Sequence, residues 1–576
     1  MIRFLVPVLN GLFALVSFLL LTGGTILHFG RAKIEFSTLD LWALLFVASV
    51  WAVRRWNPRG FEKSWPALAW NWITDAKNSQ TWAWRVCVFF FAMIFLAHGV
   101  KHLGFETHLW DMVPVHQGLF NPWPTAKTRV FACDACIGLS TLGEHLTFSF
   151  FLLAPFTWIL KSDTFIFLVQ VLILGFPLYY AIRTRLEPKL WLTVLLIFLC
   201  QRTLRNAGIW DFREDDLAYF GLFFMILGFH RQNWLVFFSS LVLALLSKEN
   251  IFAVTLVFSV SILLSRESGV DRRRRVQVAA AVALISLFYA WLSFKVLIPK
   301  FVGIAGAQHP ISARLSTFGK TPGEILLRVF TEPGRLFGLI YQLIVTPDAL
   351  KYLVFLLGPV AFFFRSREAF VWLIPATAGI AMNLISSAST QRMLQFHYDL
   401  IIVPFLVWAA MLGIRDLMKS PARGKPVLAV GLLIALCFSG RWPGFTITHS
   451  WPETGEARAA HAFSTLQGDE PTASNASIAA HLTHLPRLTT MNAPFGDPAK
   501  PFWTKLLNLN PKTDPRDRGR SLREASRVVL DTHEDWERDF LKELLSKNGK
   551  VEMAIPGDAN DPRWVVVRLP KPIGQL

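Results

Sequence analysis

The stretch Phe105-Glu106-Thr107-His108-Leu109-Trp110-Asp111 follows closely on the apolar run Val86–Val100. Two carboxylates, Glu106 and Asp111, and two histidines, His102 and His108, therefore stand at the edge of a segment apolar enough to cross a bilayer. Ionisable groups there are costly unless they face a cavity or find partners. The chemistry that suits them is general-base catalysis, in which a carboxylate takes a proton from an attacking hydroxyl. Further polar residues recur at the ends of other apolar runs: His145, Arg202 and Arg205, Asp211 and Arg213, Lys248-Glu249, Arg392, and His397-Tyr398-Asp399. Cations beside carboxylates fit a phosphate-bearing substrate, because guanidinium and ammonium groups grip phosphate through charge-assisted hydrogen bonds. Each residue also has a plain reading. Glu106 and Asp111 can belong to a solvated loop, Arg202 and Arg205 can snorkel at a helix end, Lys248-Glu249 can cap a tight turn, and His397 can be a satisfied interfacial histidine. Their joint placement carries the chemical reading.

The elements that must position these groups follow from hydropathy. Of 576 residues, 53% are hydrophobic and 17% charged, and the mean hydropathy is +0.41. A soluble protein of this length carries more charge. Apolar runs able to cross a bilayer with the help of snorkelling ends recur to about residue 440. Basic clusters alternate with them: Arg54, Arg55, Arg59 and Lys63; Arg183, Arg185 and Lys189; Arg266 and Arg272 to Arg275; Arg365 and Arg367; Arg415, Lys419, Arg423 and Lys425. The positive-inside rule places these loops in the cytoplasm and the loops carrying the chemical candidates outside. The alternation holds if Leu146 to Leu160, interrupted by Pro155, is a juxtamembrane helix and Leu190 to Leu204 a span. The prediction is a mainly α, polytopic transmembrane bundle of about 13 spans with the amino terminus inside. Residues 1–81 form a two-helix addition with a Trp-rich cytoplasmic interfacial loop, 82–440 the main membrane domain, and 441–576 a small extracytoplasmic α/β domain.

From Arg441 onward 18 Lys+Arg stand against 17 Asp+Glu, which leaves 40 against 23 before it. The formal net charge of +18 is therefore a topology signal before it is a nucleic-acid signal. In the tail, Arg527 to Leu530 reads as a strand ending in Asp531, and Trp536 to Lys547 as an amphipathic helix. Val551 to Ile555 and Trp564 to Leu569 read as a hairpin about Pro556-Gly557-Asp558. Ser477 to Leu485 reads as helical. The five cysteines make no disulfide framework. Cys133 and Cys136 can form a local disulfide if their loop is extracytoplasmic, two free thiols being the alternative. No second ligand pair gives them zinc-site spacing.

Several segments resemble an uncharacterised family of bacterial polytopic membrane proteins. They are Phe105 to Asp111; Gly143-Glu144-His145-Leu146 with Ala154-Pro155 and Gln170; Asp211-Phe212-Arg213; Leu246-Ser247-Lys248-Glu249-Asn250; His397-Tyr398 with Pro404; and, in the tail, Ala480-His481-Leu482 and Val528 to Asp531. That family is similar to the C-type (GT-C) glycosyltransferases, integral membrane enzymes that use polyprenyl-phosphate-linked sugars. The resemblance implies a GT-C-like fold and an essential acid in the first outer loop, at Glu106, with Asp111 as a second acid. It also implies sugar transfer from a polyprenyl-phosphate carrier to an acceptor at the periplasmic face of the bacterial inner membrane. On this reading Lys248, Arg202 and Arg205 bind phosphate, and His145 and His397 line the sugar site. His108, Asp211, Arg213, Glu249, Arg392 and Tyr398 complete the substrate-binding set. The partners are the carrier-linked sugar and membrane lipid, with no nucleic acid. Glu106 stands where the family usually has Asp, and Arg213 where it usually has His. The second departure removes a metal ligand, so a divalent cation stays open and no cofactor is assigned. The rival readings are a transporter or flippase of a lipid-linked substrate, although no internal repeat of the kind common in transporters is present, and a non-catalytic scaffold.

Overall fold

The computed structural model describes residues 2–575 except 23–25, 30–31, 36–38, 108, 121–131, 134–138, 141, 143–144, 161, 267–268, 302–330, 387, 395, 440–441, 469, 486, 491–523 and 558–561. The apolar runs form helices, as their length and lack of charge require. Among the described residues four helices are long and apolar enough to cross a membrane: Ala76–Leu103, Asp163–Arg185, Arg272–Lys300 and Arg367–Ile385. Other apolar helices are shorter, including Trp234–Ser247 and Ile251–Leu264. At about 1.5 Å per residue a 14-residue helix reaches only about 21 Å, against a hydrocarbon core of about 30 Å.

Three segments depart from simple spans. Leu146 to Leu160 is divided into a 3-10 turn, Phe148–Leu152, and a short helix, Ala154–Leu160, which fits a juxtamembrane element. The predicted span Leu190 to Leu204 is broken: Trp191–Leu199 ends at Cys200, and a new helix, Arg202–Ile209, starts after Gln201. The predicted inward span from Lys351 is the helix Pro347–Leu357 followed by a 3-10 turn at Ala361–Phe363. The break at Gln201 matters for the site below.

The helix Glu214–His230 is the centre of the bundle, because apolar residues surround it on every side and nearly all of its residues are buried. Such all-round hydrophobicity marks a core helix. It pairs with Trp234–Ser247 across a tight turn, and Gly221 permits the approach: a Cβ there would meet the backbone N of Ala244 and O of Ser240 at 2.9 Å. By contrast Leu284, Phe288 and Trp291 on Arg272–Leu292 are exposed, as a lipid-facing surface should be. Trp56, Trp65, Trp72, Trp82 and Trp84 are also exposed: Trp56 ends the helix Leu39–Trp56, Trp65 and Trp72 lie in the short helix Trp65–Thr74, and Trp82 and Trp84 lie near the start of Ala76–Leu103. That is the placement expected of interfacial anchors.

Two short antiparallel pairs, β1 (Ile26–Phe29) with β2 (Ala32–Glu35) and β3 (Ala132–Cys133) with β4 (Leu139–Ser140), lie in connections. The tail forms one five-stranded sheet in the order β6-β5-β7-β9-β8, built from β5 (Thr472–Ser474), β6 (Leu488–Thr490), β7 (Arg527–Asp531), β8 (Lys550–Pro556) and β9 (Pro562–Arg568). β5 runs parallel to both β6 and β7, whereas β9 is antiparallel to β7 and β8. The strand, hairpin and helix (Asp535–Ser546) stand within one or two residues of their sequence positions. The helix expected over Ser477 to Leu485 is only the turn Ala476–Ala479. The tail packs on the bundle: Phe463, Ile478 and Leu482, outside the strands, and Trp564 of β9 share a core with Met112, Val113 and Phe167.

Candidate functional site

Glu106 sits in the turn that ends the helix Ala76–Leu103. The Phe105 N–H donates to the His102 carbonyl and the Glu106 N–H to the Lys101 carbonyl, both at 3.0 Å. This is a Schellman closure, which needs a left-handed residue after the cap, usually glycine. Here Phe105 takes that conformation, with φ of 59°, although a side chain there is strained by roughly 1–2 kcal/mol. The consequence is that Glu106 leaves the helix axis and faces a cavity. Its Oε2 accepts a 2.6 Å hydrogen bond from Ser450 Oγ.

The cavity has a volume of about 1040 Å³ and is lined by five cations, Lys101, Arg202, Arg205, Lys351 and Arg392, against two carboxylates, Glu106 and Asp348. The helix break at Gln201 is what turns Arg202 and Arg205 into it; at the end of a straight span they would snorkel. Arg202 Nε donates to the Phe438 carbonyl at 2.7 Å and Arg205 Nη2 to the Ser439 carbonyl, just past the carboxyl end of the helix Pro421–Cys437. The negative end of that helix dipole favours cations. Aromatic faces complete the positioning: Arg202 lies 4.1 Å from the Phe355 ring centroid, Lys101 4.7 Å from Trp210 and Arg205 5.7 Å from Trp442. Such contacts attract and hold a cation.

Most of the other sequence candidates lie elsewhere, in a buried ion network at the start of the helix Glu214–His230. Lys248 Nζ is 2.9 Å from Glu214 Oε1 and 2.7 Å from Asp215 Oδ2. Arg213 Nε is 3.1 Å from Glu214 Oε2. His145 Nδ1 meets Glu249 Oε1 at 2.8 Å, and Glu249 Oε2 accepts from the Leu146 N–H at 3.0 Å. His397 Nε2 is 3.4 Å from Asp215 Oδ2, and the Tyr398 ring centroid is 6.0 Å from the Lys248 ammonium. Burial pushes the Lys248 ammonium down, but Asp215 and Glu214 more than offset it and hold it above its ordinary range. His397 is held well below its ordinary value by burial and by Arg213 and Lys248. Asp211 lies apart again, 3.5 Å from His98 Nε2.

A thin wall joins network and cavity. Tyr352, a cavity residue, donates to Asp399 Oδ1 at 2.5 Å, and Asn383 Nδ2 donates to the same oxygen at 2.8 Å. Burial pushes the Asp399 carboxyl up to about 7, with the Tyr352 and Asn383 hydrogen bonds opposing it.

The structure thus divides the sequence candidates. Glu106, Arg202, Arg205 and Arg392 come together in the cavity, whereas His145, Arg213, Lys248, Glu249, His397 and Tyr398 surround the buried carboxylates. Lys248, expected to grip phosphate, is instead occupied by two acids. Asp111 lies in the helix Leu109–Phe120; its side chain, His108, Cys136 and the cysteine pairing lie outside the described residues. Lys101, Lys351, Tyr352 and Ser450 are cavity residues that sequence reasoning missed. The signal for Lys101 was present, a lysine closing a 28-residue helix five residues before Glu106, but it reads equally well as snorkelling. Among the described residues no three His, Cys, Asp or Glu side chains are grouped to hold a metal ion.

A family model described as "Predicted membrane protein (DUF2079)" matches residues 116–508. The chain belongs to this family. The DUF2079 match spans the ion network and most cavity cations and begins ten residues after Glu106. Over 83% of its length the chain is similar to the crystal structure of ArnT from Cupriavidus metallidurans bound to undecaprenyl phosphate, covering 97% of that chain at 13% identity and a TM-score of 0.42. The apo state of the same ArnT gives the same coverages, 14% identity and a TM-score of 0.43. No curated protein matches this DUF2079 chain.

Proposed function

We propose that this DUF2079 protein is a membrane glycosyltransferase that moves a sugar from a polyprenyl-phosphate carrier to an acceptor at the periplasmic face of the inner membrane. The observation that carries the reading is the cavity: Glu106, at the end of a helix long and apolar enough to cross a membrane, faces a space lined by five cations and one other carboxylate, Asp348. An acceptor hydroxyl attacks the sugar's anomeric carbon and passes its proton to Glu106. The bond from that carbon to the carrier phosphate breaks, and the phosphate leaves with the electron pair. Arg202, Arg205, Lys101, Lys351 and Arg392 hold the charge that the leaving phosphate gains. Charged hydrogen bonds of this kind contribute about 1.5–3 kcal/mol each, and those that strengthen as charge develops accelerate the step. Asp111 is the second candidate base. The ion network takes the role of a rigid support for the loops 210–213 and 397–399.

The test follows a labelled polyprenyl-phosphate sugar in proteoliposomes. Glu106→Gln should reduce transfer about 10²–10⁴-fold while carrier binding persists, and Glu106→Asp should retain part of the rate. Normal transfer by Glu106→Gln with a dead Asp111→Asn moves the base to Asp111. Carrier crossing the bilayer without any sugar transfer replaces the enzyme with a flippase.

A further inference from the structure

The tail domain touches the membrane part at the turn that carries Glu106. The Phe105 ring is 4.0 Å from His481 and 5.7 Å from Trp564, the latter stacked, with Phe463 at 6.2 Å. All three partners belong to the tail. Ser450, in the linker leading to the tail sheet, supplies the hydroxyl on Glu106. Its carbonyl presses against the cap of the same turn, since a Cβ on Gly104 would meet it at 3.1 Å. His481 also stacks on His102, centroids 4.2 Å apart, one turn back along the helix. Every contact converges on residues 102–106, the segment in which an aromatic residue adopts a backbone conformation usually left to glycine.

We propose that the C-terminal domain is a positioning clamp for Glu106: His481, Trp564 and Phe463 hold the Phe105 ring so that the turn stays left-handed, and Ser450 orients the carboxylate into the cavity. The clamp rests on the assignment of Glu106 as base. Among the cations the domain meets Arg205, 5.7 Å from the Trp442 ring centroid; at the turn it sets the direction of one side chain. A residue strained on its own persists where the surroundings over-determine it, and here the surroundings come from a domain more than 340 residues away in sequence. Phe105, Ser450 and Trp564 are therefore positioning residues. A tail that undocks releases Phe105, the turn relaxes, and Glu106 loses both its donor and its aim.

Phe105→Gly separates the ring from the backbone, because glycine favours the left-handed turn but removes the grip. In the full-length protein, kinetics of transfer from a labelled polyprenyl-phosphate sugar are compared with hydrogen exchange of the Phe105 and Glu106 amides. Phe105→Gly and Trp564→Ala should speed exchange of these two amides at least tenfold and lower kcat by a similar factor, with KM for the carrier nearly unchanged. Ser450→Ala should lower kcat, again with KM for the carrier nearly unchanged, because Glu106 loses the hydroxyl that orients it; Ser450→Thr should restore it. Unchanged exchange in both Phe105→Gly and Trp564→Ala overturns the clamp whatever the activity. Parental kcat in all variants, with Glu106→Gln dead, overturns the clamp and leaves the base standing. An active Glu106→Gln removes the base, and the exchange rates alone then decide whether the tail holds the turn.

Discussion

Removing the Lys248 ammonium distinguishes a phosphate ligand from a structural counter-ion. Lys248, Glu214 and Asp215 are each no more than 2% exposed, and the ammonium lies within 2.9 Å of both carboxylates. In Lys248→Met, Glu214 keeps Arg213 at 3.1 Å, but among the described residues Asp215 keeps His397 alone, at 3.4 Å, and burial lowers the pKa of that imidazole. A buried carboxylate deprived of its partner destabilises a protein by about 3–5 kcal/mol, a factor of roughly 10²–10³·⁵ in the folding equilibrium. That is a large part of a typical stability of about 5–15 kcal/mol. Equilibrium unfolding in mixed micelles, followed by tryptophan fluorescence, measures the loss. Lys248→Met with Asp215→Asn should recover much of it, giving a coupling of at least about 1 kcal/mol in the double-mutant cycle. A Lys248→Met protein within about 0.5 kcal/mol of the parent that binds polyprenyl phosphate poorly would refute the reasoning and return Lys248 to the phosphate.

Gly221→Val should destabilise the pair of helices Glu214–His230 and Trp234–Ser247 by about 1–3 kcal/mol, seen as a lower unfolding midpoint, because its side chain meets the backbone of Ala244 and Ser240. Asp399, pushed up to about 7 from an ordinary 3.8, binds its proton more tightly in the folded protein than in the unfolded chain. Its contribution to stability is therefore fully present below about pH 4 and lost as pH rises through about 7, an effect of up to about 4 kcal/mol. Thermal unfolding should show that slope in the parent and a flatter one in Asp399→Asn.

The apolar runs, the basic loops and the compositional change after Gly440 are properties of the chain itself, because hydropathy and charge act over about 20 neighbouring residues. They suffice for a helical membrane protein with a separate tail, and the local alternation in Val551 to Leu569 suffices for a hairpin. The boundary position of Glu106 is equally legible, since it needs only the end of an apolar run. What the candidates do to one another is a different matter. Lys248 and Arg202 look alike in sequence, each a cation at the end of an apolar run, yet Lys248 meets two buried carboxylates and Arg202 a cavity. The difference lies in the helix break at Gln201 and in the carbonyls of Phe438 and Ser439, which come from 234 and more residues away. Ser450 and Trp564 carry no mark at all, because a hydroxyl or an indole becomes a positioning group only where the tail docks on Phe105. Local pattern decided which residues are apolar, charged and near the membrane edge; only the tertiary structure decided which charges neutralise each other and which are left facing a space that a substrate can enter.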